Sequence, residues 1–80
     1  LGRSETKAVR SLLTQAMLHA LKIARWPDND AVPNWQGEAT NFLSQAQDDF
    51  LPSMAQNLDV AACFREARRR AVAAAVPGPA

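Results

Sequence analysis

His19 is the only histidine in the chain, so it is the first residue to test for a catalytic or metal-binding role. On a helical wheel it falls beside Ala16 and Ile23, at the edge of an apolar stripe, where a packed ring with one hydrogen bond is expected. Catalysis would need a neighbouring carboxylate, for which Glu38 and Asp30 are candidates, and a metal site would need further ligands at suitable spacing. The sequence therefore predicts a structural His19 and no metal site.

The other reactive side chains form no catalytic pattern. Cys63 occupies the first turn of a predicted helix and is expected to be a buried core cysteine. The four serines have neither a nucleophile elbow nor a partner base, and the acidic pairs do not match a calcium loop. No glycine-rich phosphate loop is present. We therefore expect a protein that is not an enzyme and holds no cofactor.

Arginines near the end of the chain form the strongest candidate binding feature. Arg65, Arg68 and Arg69 fall on neighbouring turns of one predicted helix, so they could hold a polyanion or an acidic partner along one side. No nucleic-acid recognition motif and no surface aromatic residue accompanies them. We favour a solvated face, or one paired with an acidic helix, and keep a binding surface as the alternative.

Charge is segregated along the chain although the formal net charge is only +1. Residues 1–25 carry five basic side chains and one acidic side chain, and residues 26–59 carry six acidic side chains and no basic one. Residues 60–80 carry four arginines and one glutamate. We expect the acidic segment to lie between the two basic ones and to pair with them; a basic surface for a polyanion is the alternative.

These side chains are expected to be positioned by helices, because apolar residues recur at three- and four-residue steps in three segments and prolines separate the segments. The predicted helices cover residues 5–26, 35–50 and 60–75. Each is preceded by a residue that caps helices well, namely Ser4, Asn34 and Asp59. A short helical turn is expected within residues 52–58, and no strand is predicted. The fold class is therefore all-α, a small helical bundle.

The first predicted helix is apolar over most of its circumference, because Met17, Leu18 and Leu21 extend beyond its main stripe. Two neighbouring helices cannot cover such a surface. We therefore expect a homo-oligomer, or an N-terminal segment absent from this chain, to pack on it. The predicted core consists of Leu12, Ala16, His19, Ile23, Trp26, Trp35, Phe42 and Phe64.

The length of 80 residues predicts one domain, which we place at residues 1–76, followed by a disordered tail at 77–80. Because the chain begins with Leu1 and not with methionine, we expect it to be part of a longer polypeptide. The lone cysteine excludes an internal disulfide and is compatible with a cytoplasmic protein. Charged and polar residues interrupt the longest apolar stretch, so no membrane span is predicted.

Five short motifs carry a resemblance to a known bacterial family. They are LGRSE at 1–5, LHALK at 18–22, Trp35 after a proline-bearing loop, Pro52-Ser53-Met54, and FREARRRA at 64–71. In this order they resemble the family described as domain of unknown function 29. The resemblance implies an all-helical bundle, of which this chain would be the C-terminal part. It implies no function.

Two functions remain open at this point. The surplus apolar surface and the segregated charge favour a protein-interaction or oligomerisation module. The alternative is a nucleic-acid-associated protein that uses the arginine-rich third helix. The arginines discriminate between them: pairing with Glu38, Asp48 and Asp49 favours the interaction module, whereas an open basic face that also retains binding at moderate salt favours nucleic-acid binding.

Overall fold

The computed structural model describes residues 3–74, which form three α-helices and one 3-10 turn. The elements are α1 (Arg3–Arg25), α2 (Val32–Asp49), the 3-10 turn (Pro52–Met54) and α3 (Val60–Ala73). The all-α prediction is confirmed, since the described part of the chain contains no strand. The predicted tail at residues 77–80 lies outside the described residues.

The central helix of the bundle is α1. Both α2 and α3 pack along it, whereas α2 and α3 scarcely touch each other. The helix α2 runs antiparallel to α1, because Trp35 near its start contacts Trp26 while Ala46 near its end packs with Val9. The residues described form an elongated body of 41 × 21 × 16 Å.

In contrast to α2, α3 runs in the same direction as α1. The Cys63 thiol, near the start of α3, donates a hydrogen bond to the carbonyl of Arg10 at 3.6 Å. The Arg25 guanidinium, at the end of α1, donates to the carbonyl of Ala71 at 3.3 Å. The chain between Phe50 and Asp59 therefore crosses from one side of α1 to the other before α3 begins.

Two of the three predicted N-caps are wrong. The helix α2 begins at Val32, before Asn34, because Pro33 fits a first helical turn that needs no amide hydrogen. An Asx turn, in which the Asn29 side chain accepts from the amide of Ala31 at 2.8 Å, leads the chain into this start. Ser4 lies inside α1, so it does not cap that helix.

The third predicted cap is confirmed. Asp59 precedes α3 with an extended backbone, and its carboxylate accepts a hydrogen bond from the amide of Ala62 at 2.9 Å. The expected turn between the second and third helices is also present, at Pro52–Met54. It brings Met54 down onto α1, where this side chain is buried at 3% exposure.

One fully buried part of the core lies where α1, α2 and the 3-10 turn meet. Val9, Ala46 and Met54 form this buried cluster, with Leu12, Leu13 and Leu58 packed around it. Of the predicted core residues, Trp35 is buried. Six others are half-buried, namely Leu12, Ala16, His19, Ile23, Trp26 and Phe42.

The placement of Phe64 in the core is wrong, because its side chain is 45% exposed. The face of α3 that meets α1 is made of smaller side chains, Cys63, Ala67 and Ala71, each of which is buried. Small residues allow two helices to approach closely, and the contact between the Cys63 thiol and the Arg10 carbonyl shows that α3 does so. This rotation of α3 turns Phe64 toward its outer edge.

Candidate functional site

An apolar strip that is only partly covered runs along α1. Val9, Leu13, Ala16, Ala20 and Ala24 follow one another at steps of three or four residues, so they share one face of the helix. Val9 is buried beneath the 3-10 turn, Leu13 and Ala16 are half-buried, and Ala20 and Ala24 are exposed. We call this strip the α1 open face. Its second half lacks a covering element among residues 3–74.

Exposed apolar side chains occur on both helices that flank α1. Leu43 on α2 and Phe64 on α3 are each 45% exposed, and Val60 at the start of α3 is 49% exposed. A cavity of about 210 Å³ opens between the first half of α1, the end of α2 and the segment before α3. Its lining is almost entirely apolar: Val9, Leu13, Ala46, Gln47, Phe50 and Leu58. A partner could insert an apolar side chain here.

The α3 arginines do not pair with the acidic helix. Arg69 and Arg70 each bind the Glu66 carboxylate with an N···O distance of 2.7 Å, one helical turn away. Arg65 lies 3.9 Å from the Asp59 carboxylate. Among residues 5–74 these are the only ion pairs. The expected pairing of the α3 arginines with the acidic helix α2 is therefore wrong, because α1 separates α2 from α3; from the acidic segment only Asp59, directly before α3, lies beside an arginine.

The ion pairs within α3 change the protonation properties of two groups. Hydrogen bonds from Arg69 and then Arg70 lower the pKa of Glu66 from its ordinary value of 4.5. The same hydrogen bond to Glu66 raises the pKa of Arg69. Both effects favour the charged forms, so this cluster stays ionised at neutral pH.

An open groove of about 460 Å³ follows the outer face of α3. The described residues that line it are Arg65, Arg68, Arg69, Val72 and Ala73, which recur at steps of three and four and so share one face. We call it the basic groove. Three guanidinium groups surround an apolar floor, on which Val72 is 65% exposed. The three arginines chosen from the sequence therefore do lie together.

The C-terminal end of α2 has the opposite character. Asp48 and Asp49 are exposed in its last turn, which contains no basic residue. The helix dipole is negative at this end, so the two carboxylates add to an unfavourable potential. Phe50 and Leu51 follow directly and are 38% and 54% exposed. We call residues 48–51 the acidic end.

The His19 ring is packed, as a structural histidine would be. Its Nδ1 donates a hydrogen bond to the carbonyl of Gln15 at 2.7 Å, and its ring centroid lies 5.5 Å from that of Phe42. Neither Glu38 nor Asp30 forms a hydrogen bond with it in the part of the chain that the structure describes. Among residues 3–74, no three His, Cys, Asp or Glu side chains are grouped as metal ligands would be.

Some residues of these surfaces escaped the sequence analysis. Val72 was not selected, although it lies four residues after Arg68 and three after Arg69, so a helical wheel places it between them. The acidic residues at the end of α2 were expected to be solvated or to pair with the arginines, and their place beside exposed apolar residues was missed. The absence of any basic residue in the last turn of α2 was the available signal for its unbalanced charge.

The fold and its surfaces define a small helical protein built on one central helix and rich in exposed apolar and charged faces. None of the helices described has the length and apolar character that crossing a membrane requires. The chain belongs to the family described as domain of unknown function DUF29, whose model matches residues 1–76. The resemblance drawn from the five motifs is thereby confirmed. No curated protein and no solved structure matches the chain.

Proposed function

We propose that this protein is a non-enzymatic protein-interaction module. The observation that carries the proposal is the α1 open face, on which Ala20 and Ala24 remain exposed between two helices that scarcely touch. A helix that is apolar around most of its circumference is stable when neighbours cover it on several sides. A partner that packs along this face would supply the missing neighbour.

The exposed apolar side chains give such a partner an energetic reason to bind. Six large apolar residues are exposed among residues 3–74: Leu43, Phe50, Leu51, Val60, Phe64 and Val72. Fully burying an exposed leucine or phenylalanine side chain contributes about 1.5–3 kcal/mol. These side chains are 38–65% exposed, so each contributes part of that amount, and a partner gains by covering several of them together.

Site-specific photo-crosslinking in cells tests the proposal. A photoreactive amino acid at Leu43 or Phe64 should give a crosslinked protein product, whereas one at Gln45 should not. Gln45 is the matched control because it is an exposed α2 residue two positions from Leu43, which places it on nearly the opposite side of the helix from Leu43. The absence of a product at both test positions, with the protein folded and expressed, would exclude an interaction through these faces.

Nucleic-acid association is the second candidate, and the basic groove is the observation that favours it. Arg65, Arg68 and Arg69 share an open face that a phosphate backbone could follow. Against it, Glu66 accepts three hydrogen bonds from the Arg69 guanidinium, and Asp59 lies beside Arg65. Fluorescence anisotropy with labelled duplex DNA and RNA at about 0.15 M salt should show no binding. Binding that R65E/R68E abolishes would favour this candidate instead.

We also place the protein in the bacterial cytoplasm as part of the proposal. The support is its single cysteine, which needs no oxidising compartment, and the bacterial family that its motifs resemble. Cys63 is buried at 1% exposure and packs on the backbone of α1, so it serves the core as a small apolar residue. Fractionation of the native host, followed by immunodetection, tests this placement.

A further inference from the structure

We propose that the partner is a second copy of this chain, and that the acidic end of one copy binds the basic groove of the other. This inference rests on the proposed function, since it names a partner for the interaction module; the surfaces it uses are separate from the α1 open face. The acidic end consists of Asp48, Asp49, Phe50 and Leu51, and the groove offers guanidinium groups around an apolar floor. The carboxylates of the acidic end can pair with the guanidinium groups of the groove, and the apolar residues of the two surfaces can pack together.

The carboxylates of the acidic end match the arginines of the groove. Asp48 and Asp49 are exposed at the negative end of the α2 dipole, where a cation is most favourable and where α2 supplies none. On α3, Arg68 forms no ion pair with any residue that the structure describes, and Arg65 reaches Asp59 only at 3.9 Å. Arginine is well suited to hold carboxylates, since its planar fork binds both oxygens.

The apolar residues beside these charges also match. Phe50 and Leu51 follow the two carboxylates and are 38% and 54% exposed. Val72 on the groove floor is 65% exposed, and Ala73 lies beside it. An apolar contact flanked by ion pairs is the usual composition of a protein interface, with an apolar centre and a polar rim.

The two surfaces of one chain are held apart, so they are free to meet between chains. The acidic end belongs to α2 and the groove to α3, and these helices lie on different sides of α1 with hardly any contact. Within the residues that the structure describes, neither surface therefore covers the other. A two-fold dimer can satisfy both at once, because each copy offers one of each surface.

The groove suits a protein better than a nucleic acid. Glu66 and Asp59 partly neutralise the arginines, so the groove offers too little positive charge for a row of phosphates but suits a partner with only two carboxylates. The exposed Val72 adds apolar area that a phosphate backbone does not use. A second copy would use the arginines through its two carboxylates and Val72 through its apolar residues.

Charge reversal with complementation tests the proposal. Sedimentation velocity over a concentration series should show that the wild-type chain self-associates and that added salt weakens the association. The variants R65E/R68E and D48K/D49K should each weaken it roughly tenfold or more, because like charges are brought together. An equimolar mixture of the two variants should associate again, since each reversed surface then meets its complement.

Matched controls carry the same charge changes elsewhere. K7E/R10E on α1 matches R65E/R68E, and D28K/D30K in the first loop matches D48K/D49K; all four residues are exposed. Both controls should associate as the wild type does. A charge-reversed variant that loses its helical circular dichroism signal is replaced by a neutral one: R65Q/R68Q for the groove, or D48N/D49N for the acidic end. If the neutral variant associates as strongly as the wild type, the proposal is overturned.

The remaining outcomes separate this inference from the proposed function. A wild-type chain that stays monomeric, or a mixture that does not associate, overturns the second copy as partner. If Leu43 is then found crosslinked to a different protein, the proposed interaction module stands and only the second copy as its partner is excluded. If no crosslink forms either, the interaction module and the second copy are both excluded. Duplex binding by a monomeric chain, lost in R65E/R68E, would replace the second copy with a nucleic acid.

Discussion

Trp26 and Trp35 meet across the loop that joins α1 to α2, with their ring centroids 6.5 Å apart and their planes inclined at 55°. Cations extend this contact: the Lys22 ammonium lies 4.8 Å from the Trp35 ring centroid, and the Arg25 guanidinium lies 4.8 Å from that of Trp26. The pair therefore fixes the angle at which α2 leaves α1.

Substitution of Trp35 is expected to be the most damaging change at this loop. Trp35 is only 4% exposed, so W35A leaves a large cavity and should cost about 3–5 kcal/mol of unfolding free energy. Urea unfolding followed by circular dichroism measures this loss. Q36A, at the exposed neighbouring position, should change the free energy by less than about 0.5 kcal/mol. Equal effects of the two substitutions would contradict the packing described.

Asp59 tests the contribution of a confirmed cap. Its carboxylate accepts from the amide of Ala62, so D59A leaves that amide without its partner and should cost about 1 kcal/mol. D59N keeps an oxygen acceptor in place and should lose only a few tenths of a kcal/mol, since asparagine caps about as well. Thermal unfolding of both variants gives the comparison. A larger loss in D59N would assign the stabilisation to the ion pair with Arg65.

His19 should tolerate replacement by an apolar residue. H19L removes one hydrogen bond to the Gln15 carbonyl and keeps a side chain of similar bulk against Phe42. We expect unfolding free energy to change by no more than about 1.5 kcal/mol. Chemical denaturation of the two proteins measures the change. The interpretation of His19 as structural would be wrong if H19L kept its stability but lost a bound metal ion or an activity.

Glu66 predicts how α3 responds to acid. Hydrogen bonds from Arg69 and Arg70 lower the folded pKa of Glu66 below its ordinary value of 4.5. Its stabilising effect is therefore fully present above the unfolded pKa and is lost as the pH falls through the lowered folded pKa. The difference in melting temperature between wild type and E66Q should shrink over that acidic range.

A carbon-13 NMR titration checks the cause of that shift. In R69Q the pKa of Glu66 should rise toward its ordinary value, because the largest of the hydrogen-bonding effects is removed. R68Q is the control, since Arg68 makes no hydrogen bond to Glu66. An equal rise in both variants would mean that general positive charge, and not the hydrogen bond, lowers the pKa.

The fold was largely predictable because its signals are local. Periodic apolar residues and the prolines at 27 and 52 mark the helices, and an aspartate cap marks the start of α3. The start of α2 was less predictable, since Pro33 fits both a loop and a first helical turn. Local patterns therefore decide which helices form and leave their first residues uncertain by a few positions.

The surfaces were less predictable, because they depend on how the helices pack. The apolar pattern of α3 contains two overlapping stripes, one through Phe64 and one through Cys63, and both include Ala67 and Ala71. Because α3 approaches α1 closely, the stripe with the smaller side chain, Cys63, faces α1, and the stripe through Phe64 does not. Counting charges along the chain likewise cannot show that α1 separates the acidic helix from the basic one.

The dependence of α2 and α3 on α1 alone has a consequence for the order in which the chain assembles. The α1–α2 hairpin closes through a short loop, whereas the contact between Cys63 and Arg10 joins residues 53 positions apart. Closing that longer loop costs more entropy, so α3 docks onto a finished hairpin. The reverse also follows: α3 can detach as a unit while the hairpin persists, and its amide hydrogens should exchange with solvent before those of α1.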